Sequence, residues 1–305
     1  MTALILLSVT LIFILAFGFN HILVGRMLKA SIESGAFHLT QATVNRIDAV
    51  LQAVEKVPAN LSRFLEDAEL TGNALQKAIE NVLEANPEVY GTAVAFEPDA
   101  FAKGLNHFAL YGFRSVDGLA FTTIPYDYMG WDWYRLPMDE NRPRWSEPYF
   151  DEGAGNTLMA TFSVPFSRQG PDGPQRVGVM TADISLAWLR DLAEAIKIAN
   201  SGYAFIVSAK GTFITHPRAE LVMNQTIFSL ARSLADETVE QAGKAMIAGK
   251  SGFVPAGGLL SGKGWLAYAF LPSSGWSIGV VFPEEELMGD LDRPNRQGPG
   301  PPCGG

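Results

Sequence analysis

From Thr2 to Val24 the chain carries one ionisable side chain, His21, in a run otherwise dominated by Leu, Ile, Phe and Val. As a helix rising about 1.5 Å per residue, such a run can cross a hydrocarbon core of roughly 30 Å. A cleaved signal peptide would want a basic start, a shorter apolar core and a small-x-small cleavage site, and none of these is clear here. The run therefore predicts an uncleaved transmembrane anchor over residues 1–25. The nearest basic residues, Arg26 and Lys29, follow the span rather than precede it, so charge bias alone does not set its topology.

The next segment changes from uniform to periodic hydrophobicity. Phe37, Val44, Leu51, Pro58 and Leu65 form one row and Ile47, Val54 and Leu61 another, the seven-residue repeat of a helix with a narrow apolar seam. A long stalk helix is expected over residues 26–68, kinked at Pro58. Two coverings of the seam stay open: the following domain, or a second copy in a homodimer. With 23 Lys+Arg against 32 Asp+Glu the chain has a formal charge of −9, which argues against a nucleic-acid partner, since phosphates need a basic face. The single cysteine, Cys303, excludes an intramolecular disulfide framework and a thiolate metal site.

Beyond a short helix from Thr71 to Ala85 the pattern turns to β. Strands are expected at Val89–Phe96, Phe108–Val116, Leu119–Ile124, Thr157–Phe166 and Arg176–Ile184, with Asp117-Gly118 as a hairpin turn. A helix over Leu186–Ala199 leads to a second set at Tyr203–Ser208, Thr212–His216, Gly252–Pro255, Trp265–Leu271 and Trp276–Phe282, with Leu221–Ile247 helical between them. The fold class is α+β: an N-terminal transmembrane helix, a long amphipathic helix, then two α/β modules, each around a central antiparallel sheet, the first sheet larger than the second. The module boundaries fall at 69–199 and 200–286, and an irregular Gly/Pro tail occupies 287–305.

Familiar catalytic signatures are missing. The four histidines are scattered singly, without the spacing that brings two imidazoles to one metal, so no metal and no cofactor are expected. There is no G-x-S-x-G, and a hydrolase using Asp127, Asp132, Asp151 or Asp183 would rest on carboxylate count alone. No catalytic residue is assigned, and the expectation is a protein that is not an enzyme. Gly257–Gly264 comes within one residue of a phosphate-binding loop, but Gly264 replaces the metal-binding hydroxyl and a strand follows where a helix is needed. The richest stretch is Tyr126–Asp151, with eight aromatics in twenty-six residues. Tyr126, Tyr128, Trp131, Trp133, Tyr134, Arg135, Trp145, Tyr149 and Asp151 are its candidate ligand-binding residues, because aromatic walls with a few directed polar groups suit a small organic ligand. A satellite core stapling a long loop is the competing explanation.

Several runs in order now carry a family resemblance: Asp132-Trp133-Tyr134-Arg135-Leu136-Pro137, Trp145-Ser146-Glu147-Pro148-Tyr149-Phe150-Asp151, Val179-Met180-Thr181-Ala182-Asp183-Ile184-Ser185, Gly202-Tyr203-Ala204-Phe205-Ile206 and Gly211-Thr212-Phe213-Ile214-Thr215-His216-Pro217. The span from about Ala30 to Glu286 resembles the double Cache (PAS-like) extracytoplasmic sensor domain of bacterial transmembrane receptors, in wording closest to sensors linked to sigma-factor-regulating serine phosphatases. The resemblance implies a membrane-distal module that binds ligand, a smaller membrane-proximal module, and signal transduction from the outside of the bacterial cytoplasmic (inner) membrane, with a single pass and the bulk of the chain periplasmic. Within the amino-acid-binding pattern of that family, Tyr126, Trp133, Tyr134, Tyr149 and Asp183 match, and Trp131 stands where an Arg is expected. An indole offers one neutral donor in place of a bidentate guanidinium, so the carboxylate clamp is in doubt. Arg135 or Arg144 could replace it from another direction, and Asp183 could pair with an amine. The ligand is left as an amine, an amino acid or another metabolite, and an anchored scaffold without a small ligand is the alternative. Pro283–Asp292 begins an exit that Arg293–Gly305 breaks with Pro and Gly, so the chain is expected to stop before a second span and its transmitter.

Overall fold

The computed structural model describes residues 2–67, 71–194, 198, 201–260 and 262–285. The tail expected over 287–305, Cys303 included, lies outside the described residues.

A single helix, α1 (Thr2–Asp67), opens the chain. The anchor expected over 1–25 coincides with its start, but among the described residues no helix is long and apolar enough to cross a membrane, so the span itself is not shown. The stalk expected over 26–68 is the same helix, continuing through the buried Pro58. Its seam is covered by the chain's own sheets. Val44, Ile47, Leu51, Val54 and Leu65 share one apolar cluster with Val94, Phe166 and Met180 of the first module and with Ile206, Ile214 and Ile278 of the second. Each such side chain contributes about 1.5–3 kcal/mol by leaving water. The polar residues on this face are satisfied locally: Thr40 Oγ1 donates to the Ala36 carbonyl at 2.8 Å and Thr43 Oγ1 to that of Leu39 at 2.9 Å. Phe37, from the predicted seam, is exposed, as is Phe64.

Helix α2 (Gly72–Ala85) starts where Thr71 Oγ1 accepts from the Ala74 amide, and it buries Leu75, Ile79 and Leu83 at helical spacing. It packs on a seven-stranded antiparallel sheet: β1 (Gly91–Phe96), β2 (Phe108–Ser115), β3 (Gly118–Thr123), β4 (Arg144–Trp145), β5 (Tyr149–Phe150), β6 (Leu158–Gly170) and β7 (Gly173–Ser185). The order is β3-β2-β1-β7-β6-β4, with β5 also paired to β6. Gly112 lets α2 approach β2, since a Cβ there would stand 2.5 Å from Ile79 Cγ2. Strand β1 is buried on both faces and sorts its side chains by size: Val94 and Phe96 face the helices, Ala93 and Ala95 the opposite side. The small face is roofed by α3 (Asp132–Glu140), a helix inside what the sequence presents as a long loop. Trp131 is its N-cap residue, and Asn141 ends it in the left-handed conformation.

Helix α4 (Leu186–Glu194) leads to the second module. Its five-stranded sheet has the order β10-β11-β12-β8-β9, from β8 (Tyr203–Val207), β9 (Phe213–Thr215), β10 (Gly252–Pro255), β11 (Gly264–Leu271) and β12 (Trp276–Pro283). The helical stretch expected over Leu221–Ile247 divides into α5 (Ile227–Ser233) and α6 (Glu237–Ile247). Ala235, at φ 50°, breaks it, and Asp236 Oδ1 caps α6 by accepting from the Thr238 and Val239 amides. Gly257–Leu259 is a single 3-10 turn, and strand β11 follows the glycine-rich loop.

Candidate functional site

Antiparallel pairing sets Thr161 of β6 opposite Asp183 of β7, and Gly91 of β1 opposite Asp183 on its other side. Asp183 therefore emerges at the centre of the sheet, on the face where Ala93 leaves room. There it lines a chamber with Tyr111, Tyr126, Trp133, Tyr149, Asp151 and Thr161, completed by Ala93, Ile124 and Thr181. The chamber has about 10 Å³ free for solvent centres, room for about one water. Next to it, and sharing Trp133 and Tyr149, an open cleft of about 430 Å³ is lined by Trp131, Asp127, Gly130, Asp132, Ser146 and Glu147. Tyr126, Trp131 and Tyr149 stand between the two, with Trp131 at 5.1 Å from Tyr126 and 5.6 Å from Tyr149 by ring centroid.

Two carboxylates share the chamber and no Lys or Arg lines it. Asp151 Oδ1 accepts from Tyr126 Oη at 2.7 Å and its Oδ2 from the Gly155 amide at 2.6 Å. Asp183 Oδ1 accepts from Thr161 Oγ1 at 2.8 Å, and Tyr149 Oη lies 2.8 Å from that hydroxyl, so Tyr149 donates to Thr161 as Thr161 donates to Asp183. Burial pushes the Asp183 carboxyl up to about 7, opposed by the Thr161 hydrogen bond and aided by the charge of Asp151. Burial, then Asp183, raises Tyr149 and Tyr111, and burial, then Asp151, raises Tyr126. Among the residues lining the chamber, two buried donors lack a partner in hydrogen-bond geometry: Tyr111 Oη, which faces Asp183, and Trp133 Nε1, which faces Tyr126. An unpaired buried polar group costs about 1–3 kcal/mol. The chamber thus offers two carboxylate groups and two neutral donors without a hydrogen-bond partner, which suits a ligand bearing an ammonium group beside an oxygen acceptor.

Of the ten residues expected to bind ligand, Tyr126, Trp133, Tyr149, Asp151 and Asp183 meet at the chamber and Trp131 at the cleft. The other four sit elsewhere. Tyr128 staples the roof to the sheet, donating to the Phe96 carbonyl at 2.6 Å and accepting from the Phe108 amide. Tyr134 donates to Glu97 at 2.8 Å. Arg135 is exposed on α3, paired with Asp132 and Asp139, and Arg144 pairs with Glu140, so neither replaces the missing guanidinium. Trp145 turns to the opposite face of the sheet, where its Nε1 donates to Glu55 of α1 at 2.7 Å. Tyr111, Thr161 and Thr181 are the polar lining residues that the sequence did not single out, beside the apolar Ala93 and Ile124. Their signal was the small-residue face of β1, on which Ala93 and Ala95 leave space, with Thr interrupting apolar strands. Among the described residues no three His, Cys, Asp or Glu side chains gather as a metal would need.

Two family models match the chain. The methyl-accepting chemotaxis protein-like, first PDC sensor domain covers 75–191, and the Cache 3/Cache 2 fusion domain covers 177–297. The chain is 25% identical over 297 residues to the methyl-accepting chemotaxis protein McpG of Pseudomonas putida, covering 94% of this chain and 41% of that one. It is 24% identical over 175 residues to McpC of Bacillus subtilis, covering 56% of this chain and 23% of that receptor. It therefore spans less than half the length of either relative. Among solved structures, the histidine-kinase extracellular domain mmHK1S-Z3 superposes with a TM-score of 0.74 at 24% identity, over 85% of this chain and 96% of that one. The ligand-binding domain of the Pseudomonas aeruginosa amino acid chemoreceptor PctB, in complex with L-Gln, superposes with a TM-score of 0.60 at 20% identity, over 84% and 92%.

Proposed function

The chain belongs to the double Cache (PDC) sensor domains, extracytoplasmic small-molecule sensors, and from that premise we propose that it binds a small ammonium-bearing ligand in its first module and passes the event to the membrane through α1. The observation that carries the ligand class is the pair of carboxylates, Asp151 and Asp183, in one chamber that no Lys or Arg lines. Structural neighbours in complex with L-Gln, L-Arg and asparagine support an amine or amino acid. Here Trp131 occupies the cleft rim, and the ligand's ammonium group does most of the binding. The ligand enters only when Tyr126, Trp131 and Tyr149 part, since the closed chamber admits about one water. Binding rather than catalysis is the role: the relatives are sensors and receptors, and the carboxylates serve as counter-ions.

Anchorage by residues 1–25 in the inner membrane is supported by the exposed Phe13, Leu15, Phe17 and Phe19 of α1, an apolar surface that water does not favour. With that anchor, residues 26–68 form the stalk, 69–199 the membrane-distal module and 200–286 the proximal one. A homodimer through α1 would have to use surface outside the seam, where Phe37 and Phe64 are exposed at separate places, because the seam is already filled.

The test is calorimetric titration of the full chain in detergent with L-arginine, L-glutamine and a panel of primary amines. A hit should weaken on the order of 30-fold or more in Asp183→Asn, the loss expected when a buried charged partner is removed. Hits that bind this variant as well as wild type overturn the site. The near-filled chamber favours one second reading, an anchored interaction module without a small ligand, and binding by no member of the panel would select it.

A further inference from the structure

Trp145 lies on the opposite side of the sheet from the chamber, yet a continuous set of contacts joins it to the chamber. Thr161, whose hydroxyl donates to Asp183 at 2.8 Å, is also doubly bonded through its backbone to Ser146: the Ser146 amide donates to the Thr161 carbonyl at 2.8 Å, and the Thr161 amide donates to Ser146 Oγ at 3.0 Å. Ser146 directly follows Trp145, whose Nε1 donates to Glu55 Oε1 on α1 at 2.7 Å. The Trp145 ring also packs at 5.3 Å on Trp276, which opens β12 of the second sheet. All but Glu55 are buried, and Glu55 is half-buried. Nearby, Asp48 of α1 accepts from the Ser273 amide at 3.0 Å, so helix, first sheet and second sheet meet around one indole.

We infer that Trp145 is a positioning residue that couples the pocket carboxylate of Asp183 to α1 and to the second sheet, through Thr161, Ser146 and Glu55. The inference rests on the reading of Asp183 as part of the ligand site. Its physical content is local. An ammonium group that pairs with Asp183 competes for the oxygen that now accepts from Thr161. The Thr161 hydroxyl and backbone then shift together, because Ser146 holds both the amide and the carbonyl of Thr161. Ser146 is rigidly joined to Trp145, so the movement reaches the indole. A close-packed interior passes such displacements on instead of absorbing them. Coupling of this kind needs more than contiguity to be accepted, which sets the form of the test.

The full chain is labelled with 5-fluorotryptophan and its six tryptophan lines are followed by fluorine NMR in lipid nanodiscs, with Trp145→Phe assigning the line of interest. Two variants perturb the pocket without any ligand: Asp183→Asn, and Tyr149→Phe, which removes a single hydroxyl and guards against a folding defect in the first. Each should move the Trp145 line while those of Trp188 and Trp265 stay in place. In a Thr161→Val background, Asp183→Asn should leave the Trp145 line where Thr161→Val alone puts it. A Trp145 line unmoved by both pocket variants, or moved equally once the Thr161 hydroxyl is gone, overturns the inference and leaves Trp145 as a staple between modules. No ligand enters this test, so a failed amine titration and a failed coupling are separate results.

Discussion

Two buried ionisable groups pull the stability of this protein in opposite directions with pH. Asp183 is raised from an ordinary 3.8 to about 7 by burial, so the folded chain keeps a proton there that the unfolded chain releases. Its contribution to stability is complete below about pH 4 and is lost as pH rises through 7. His216 is lowered from 6.5 to about 4 by burial and then by the charge of Arg218; its Nδ1 accepts from the Arg218 amide and its Nε2 has no partner. That contribution is complete above pH 6.5 and is lost as pH falls toward 4. At about 1.36 kcal/mol per unit each swing is on the order of 3 to 4 kcal/mol, and between pH 4 and 6.5 they largely cancel. Urea midpoints of the full chain should therefore rise with pH across that range in Asp183→Asn and fall in His216→Phe, with wild type flatter than either. Coincident profiles for all three would show that neither group is held as described. Residue identities were more legible in the sequence than residue directions. Trp133, Tyr149 and Asp183 were identified as pocket residues, whereas Trp145, in the same aromatic run, faces away, because the register of a two-residue strand such as β4 leaves no periodicity to read.

Among the elements, α1 carries the most consequence. Its heptad rows predicted a covered seam, and Leu51 sits at the centre of it with no exposure. Because that cluster includes side chains of both sheets, Leu51→Ala should cost about 2–5 kcal/mol and lower a single unfolding transition shared by the two modules. Calorimetric scanning that resolved two transitions, only one of them shifted, would show the modules to be independent. The strands other than β4 and β5 were legible because they alternate or run apolar between Gly, Pro and Asp signals, and the two sheets follow from them; β4 and β5, two residues each, lie in what the sequence presents as a loop. The break between α5 and α6 was not, since its cause is one alanine in a left-handed conformation, a position where glycine would have announced itself. Helix α3 was also hidden: it is short, starts at an aromatic residue in place of a capping side chain, and contains Pro137.

For the whole molecule, the matched relatives support the sensor proposed, and the resemblance to the amino-acid-binding pattern would put an Arg where this chain has the Trp131 indole. Among the described residues no arginine lines the chamber or the cleft, and Arg135 and Arg144 are engaged with α3 carboxylates. A single Arg introduced at this place, Trp131→Arg, should therefore favour ligands bearing a carboxylate over plain amines, measured as the ratio of their dissociation constants, and an unchanged ratio would place position 131 outside the recognition surface. The continuity of α1 has a mechanical meaning as well. The helix is clamped between two sheets from about Ile32 onward and extends some thirty residues before that, roughly 45 Å at 1.5 Å per residue. It is a lever gripped along its C-terminal half, with an arm of comparable length beyond the grip: a tilt of about 5° at the grip swings the far end by roughly 4 Å over that arm. A rearrangement too small to notice around one indole becomes, at the start of the chain, a displacement the width of a side chain.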